Sequence, residues 1–69
     1  MTRAYEHVQD GHRTTIRIEN VAYIEWRPGW IGVTVHFSDG LSVELRESES
    51  NAAEKLYREL SSVLHALER

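Results

Sequence analysis

Hydrophobic and polar positions along the chain follow two different periods. Ile31, Val33, Val35 and Phe37 alternate with Gly32, Thr34 and His36, and Leu41, Val43 and Leu45 alternate with Ser42, Glu44 and Arg46. A period of two puts successive side chains on opposite faces of a strand, so both segments predict strands with one buried face. Ile16 and Ile18 repeat the pattern against Thr15 and Arg17. Between 21 and 27 both faces are apolar, Ala22, Ile24 and Trp26 on one and Val21 and Tyr23 on the other, which calls for cover on both sides. Asp10-Gly11, Pro28-Gly29 and Asp39-Gly40 punctuate these runs. Glycine supplies positive φ and aspartate tolerates it, so the two Asp-Gly pairs predict two-residue hairpins. Pro-Gly suits the centre of a type II turn in a slightly longer connection. Glu19-Asn20 is a weaker break, a bend or a bulge. The predicted strands are 3–9, 13–18, 21–27, 30–37 and 41–46.

From Ser50 onward the period changes to 3.6, with Ala53, Leu56, Tyr57, Leu60, Val63, Leu64 and Leu67 spaced by threes and fours. That spacing predicts one amphipathic helix over 50–68. Ser48, Ser50 and Asn51 are candidate caps, and Asn51 with Glu54 has capping-box spacing. Lys55, Arg58, Glu59 and Glu68 make its polar face, with Glu54–Arg58 and Lys55–Glu59 at the spacing of supporting ion pairs. The whole reads as one α+β domain, 1–69: an antiparallel β-meander of four to five strands over 1–46, open or curled into a small partly closed barrel. The C-terminal helix packs on one of its faces.

Size and charge narrow the function classes. A chain of 69 residues and 8.0 kDa buries about 60% of its unfolded surface, so self-association is a natural source of further burial and a homo-oligomer is expected. Eight Lys and Arg against eleven Asp and Glu give a net charge of −3. That sign disfavours a protein whose affinity rests on neutralising many phosphates, so long nucleic acids are poor candidate partners. With no cysteine, disulfide staples and thiolate chemistry are absent. The apolar runs are too short for a membrane span. The first residues lack the apolar stretch of a signal peptide, and a cytoplasmic location is expected.

Catalytic signals are sparse. No two of His7, His12, His36 and His65 have the i,i+4 helical spacing of a zinc enzyme, and no metal and no cofactor is expected. Ser38, Asp39 and His36 supply the residue types of a nucleophilic triad, but no nucleophile elbow surrounds them. Glu44, Glu47 and Glu49 would need a sheltered cleft to act as an acid and base pair. The one lysine, Lys55, lies in the helix, so a phosphate-binding loop is excluded by inventory. No enzyme is expected.

The concentrated feature is Tyr23-Ile24-Glu25-Trp26-Arg27-Pro28-Gly29-Trp30, which gathers three of the six aromatic side chains and an arginine around one turn. Aromatics and arginine are enriched at the centres of protein interfaces. Tyr23, Trp26, Arg27, Trp30, Arg17 and His36 are therefore the candidate binding residues, with His36 an exposed or interface imidazole. Two occupants fit. One is a protein chain, captured or occluded by a non-catalytic oligomeric module. The other is a nucleotide-like ligand, sequestered between subunits of the oligomer and stacked on Trp30 or Tyr23, with Arg27, Arg17 or Arg13 on its phosphate and Gly32 admitting it closely.

Ile18 to Leu60, with Ile-Glu-Asn-Val-Ala-Tyr-Ile-Glu, Val-His-Phe-Ser-Asp-Gly and Val-Glu-Leu-Arg-Glu-Ser ahead of a helix, resembles the small FlbD-type bacterial proteins. The resemblance implies a β-meander followed by a helix and a role in regulatory partner binding; it implies no site residue. More distantly the pattern is similar to LytTR DNA-binding domains, which would imply a nucleic-acid-binding regulator, although those carry basic loops that this chain lacks. In size the chain also resembles oligomeric phage proteins that sequester nucleotide messengers.

Overall fold

A computed structural model describes residues 3–67. Five strands precede one helix: β1 (Ala4–Gln9), β2 (His12–Arg17), β3 (Val21–Glu25), β4 (Gly32–Phe37), β5 (Ser42–Arg46) and α1 (Ser50–Leu67). The architecture is α+β with every strand pair antiparallel, as the two periods predict. The strands divide between two sheets, β1-β2 and β3-β4-β5, and do not close into a barrel. The division lies at Glu19-Asn20, where Ile18–Asn20 form a single 3-10 turn that buries Ile18. Ser38 binds the Asn20 carbonyl through its backbone N–H at 2.9 Å and its hydroxyl at 3.3 Å. The chain thus changes direction before β3 begins, and β2 is left with β1 alone.

The turns follow their residues. Asp10 and Gly11 sit at φ +53° and +79°, the two left-handed residues that a type I′ hairpin between Gln9 and His12 requires. Asp39-Gly40 falls instead in a three-residue loop, Ser38 to Gly40. The Phe37 N–H donates to the Leu41 carbonyl at 2.8 Å across it, and the Gly40 N–H to the Phe37 carbonyl at 3.1 Å. Asp39 Oδ1 accepts the Leu41 N–H at 3.0 Å, which spends the side chain on shaping the loop.

The core forms where α1 crosses β3 and β4 and the 3-10 turn. Ile16, Ile18, Val33, Val35, Leu45, Leu56 and Leu60 are its buried cluster, with Ala53 buried beside them on α1. Tyr57, Val63 and Leu64 extend the helix stripe at the margin. The expectations for the side chain of Leu67 and for Glu68 fall outside the described residues, as do Met1, Thr2 and Arg69. Ile31 and Leu41, expected inside, are 39% and 67% exposed. Each stands one residue before the start of its strand. Among the described residues no helix is long and apolar enough to cross a membrane.

β3 departs from simple alternation. Val21 pairs with Phe37 but Tyr23 pairs with His36, so Ala22 is an extra residue, a bulge. The bulge shifts parity: Val21 and Ile24 both pack on the core, while Ala22 and Tyr23 are exposed. The second apolar face expected between 21 and 27 therefore does not exist as a face, and nothing has to cover it.

Candidate functional site

The outer face of β3 and β4 is built by register. Tyr23 and Glu25 lie opposite His36 and Thr34, and Val33 and Val35 point into the core, so Gly32, Thr34 and His36 face outward. Tyr23 stacks on His36 with ring centroids 4.2 Å apart and planes 13° from parallel. His36 Nε2 lies 3.4 Å from Glu25 Oε1, and the other oxygen of Glu25 lies 4.0 Å from Arg27 Nη2. The Arg27 guanidinium stands 5.7 Å from the centroid of the Trp30 ring, within cation–π range. One line of contacts thus joins Tyr23, His36, Glu25, Arg27 and Trp30.

The turn carrying Trp30 is braced from both sides. The Trp30 N–H donates to the Arg27 carbonyl at 2.9 Å, closing Arg27-Pro28-Gly29-Trp30. Gly29 has φ +96°, the conformation that the third residue of a type II turn demands. The Trp30 carbonyl in turn accepts the indole N–H of Trp26 at 3.0 Å. Trp26 belongs to the other face: it packs against the core and tilts onto Tyr57, with centroids 6.4 Å apart. It is an anchor, and Trp30, 39% exposed, is the presented ring.

Beside Trp30 the face carries a hollow lined by Gly29, Ile31, Thr34 and Glu44. Glu44 lies across Gly32 so closely that a Cβ there would meet its Cγ at 3.1 Å. Arg46, opposite Gly32 on β5, holds its Nε 3.8 Å from the Glu44 carboxylate. Each arginine of this face therefore has a carboxylate beside it.

Four of the six candidate residues, Tyr23, Arg27, Trp30 and His36, come together as one surface, and Trp26 supports it from behind. Arg17 does not join them: it ends β2 in the other sheet, opposite Ala4. The sequence reading missed a second polar constellation. His7, 7% exposed, pairs its Nε2 with Glu47 Oε2, and Tyr5 donates its phenol to Glu59 Oε2 at 2.9 Å. These two contacts clasp β1 to the β5–α1 connection and to α1. Burial, followed by the bond to Glu59 and the charges of Glu59 and Glu47, pushes the Tyr5 phenol up to about 12. Among the described residues no three metal-ligating side chains gather around one point.

Comparison of the chain with protein-family models, curated proteins and solved structures returns no match.

Proposed function

We propose that the chain is a non-catalytic binding module that holds another protein chain against the surface of Trp30, Arg27, Tyr23 and His36, and that it assembles with copies of itself through that surface. The observation that carries this reading is the presentation of Trp30. Its turn is closed by its own backbone, its carbonyl is held by Trp26, and its ring carries Arg27. A large apolar ring fixed in advance loses little freedom on binding, which is the property of an interface anchor. The alternation of Glu25 with Arg27 and of Glu44 with Arg46 is self-complementary, so a second copy turned about a two-fold axis can oppose each base with an acid.

A phosphorylated ligand is the weaker reading, because both arginines that border Trp30 and Gly32 already have carboxylates within 4.0 Å. Substitution separates the two. If a protein chain is held, Trp30→Ala weakens assembly by about 2 kcal/mol, the threshold of a hot spot, and Arg27→Ala acts mainly through the loss of its stacking. If a nucleotide is held, Arg27→Ala abolishes binding of that nucleotide and leaves the subunit count unchanged. Sedimentation of both variants, with and without adenosine monophosphate as the probe, distinguishes these outcomes.

A further inference from the structure

The edge of the two-stranded sheet bears groups that the Trp30 surface does not use. Two strands alone are marginally stable in water, and the β1–β2 ladder fixes which main-chain groups are already paired. The Ile18 N–H donates to the Arg3 carbonyl at 3.0 Å. With Tyr5 opposite Ile16, His7 opposite Thr14 and Gln9 opposite His12, the hydrogen-bonded pairs of this antiparallel ladder fall on the odd-numbered residues of β1. The N–H and C=O groups of Ala4, Glu6 and Val8 therefore point away from β2, and they have no main-chain partner among the described residues.

A groove runs along that edge. One wall is four consecutive residues, Tyr5 to Val8, and the other is the face of α1 that carries Lys55 and Leu56. A concavity on the face of a strand is lined by alternate residues, as His7 and Gln9 line a different hollow with His12 and Thr14. Consecutive residues form a wall where the backbone edge itself is the wall. The clasps from Tyr5 to Glu59 and from His7 to Glu47 hold this edge and the helix at a fixed separation.

Natural sheets blunt exposed edges with proline, lysine or bulges. β3 carries such a bulge at Ala22. β1 reads Ala-Tyr-Glu-His-Val-Gln over six residues in unbroken register, with none of these devices. Charge selects the occupant: Glu6, Glu47 and Glu59 border the groove with Lys55 as its one lysine. A second copy of a chain with net charge −3 is repelled from such a groove, whereas a basic segment is drawn into it.

We propose that β1 takes up an extended, basic segment of another protein as a third strand, lying between β1 and α1. Main-chain hydrogen bonds to Glu6 and Val8 supply affinity, and the carboxylates select lysine or arginine at alternate positions of the segment. This site is separate from the Trp30 surface. The test titrates 15N-labelled protein with a peptide of about eight residues, a strand's length, alternating lysine and valine. Two controls match it, one N-methylated at alternate amides and one with glutamate in place of lysine. The lysine peptide shifts the amides of β1 and of the first turns of α1, and it slows hydrogen exchange at Glu6 and Val8 about tenfold. Glu6→Lys weakens it about fivefold, Trp30→Ala leaves it unchanged, and neither control binds. Equal binding by the N-methylated peptide, preference for the glutamate peptide, shifts confined to Tyr23–Trp30, or no shift at millimolar lysine peptide each overturns the proposal. Protection of the β1 amides that grows with protein concentration alone also overturns it, by giving the edge to a second copy.

Discussion

Tyr5 joins the N-terminal strand to the helix through one hydrogen bond, to Glu59, and burial of the phenol, with that bond, makes the fold sensitive to alkali. The phenol is pushed from 10.0 up to about 12, so folding favours its neutral form. A group whose value is raised by folding contributes fully below its unfolded value and loses that contribution as the pH passes through the folded one. Relative to Tyr5→Phe, the native protein holds a stability advantage that is constant below pH 10.0 and disappears by about pH 12. Paired urea titrations across that range check it. The second clasp is more deeply buried: the His7 ring is nearly inaccessible and its partner Glu47 is 18% exposed. Removing the carboxylate with Glu47→Ala leaves a buried imidazole nitrogen without its partner and costs about 1–3 kcal/mol, read by urea denaturation. Neither clasp was legible in the sequence. In β1 the inward residues include Tyr5 and His7 while Val8 is 49% exposed, so polarity and burial do not coincide. Hydrophobic alternation reports apolar packing and has no sign for a strand held by side-chain hydrogen bonds.

At the scale of elements, the pattern was most legible where packing is apolar. Val33, Val35 and Leu45, from the two strands with the clearest alternation, and Ala53, Leu56 and Leu60, from the helix stripe, are all buried. Leu60→Ala leaves a hole at the centre of that contact and costs about 2–5 kcal/mol, measurable by thermal or urea unfolding. β3 was least legible, because one bulge at Ala22 inverts the parity of every residue after it. A tally of apolar positions cannot see a register shift. Such a shift also decides the candidate site, since it sends Tyr23 outward onto His36. The turn before β4 was readable from Pro28-Gly29, and Gly29 at φ +96° makes it testable. Gly29→Ala forces a side chain into a left-handed conformation at a cost of about 1–2 kcal/mol. It should loosen the Trp26–Trp30 bond as well, seen as a red shift of tryptophan emission together with the lower midpoint.

For the whole molecule, five strands on two sheets and one helix leave the outer face of β3-β4-β5 uncovered among the described residues. The sequence gathered Tyr23, Trp26, Arg27 and Trp30 around one turn. It could not show that Trp26 would turn the other way and hold the Trp30 carbonyl, nor that Arg17 would end in the other sheet, since both depend on contacts between elements. As proposed, the braced Trp30 surface binds protein chains, beginning with a second copy. Native mass spectrometry of the protein and of Trp30→Ala over a common concentration series tests it most directly. The account predicts an oligomer for the native chain and, for Trp30→Ala, a folded monomer whose dissociation constant has risen about thirtyfold, the equivalent of about 2 kcal/mol. A native chain that stays monomeric throughout the series, or a Trp30→Ala oligomer as tight as the native one, would contradict it.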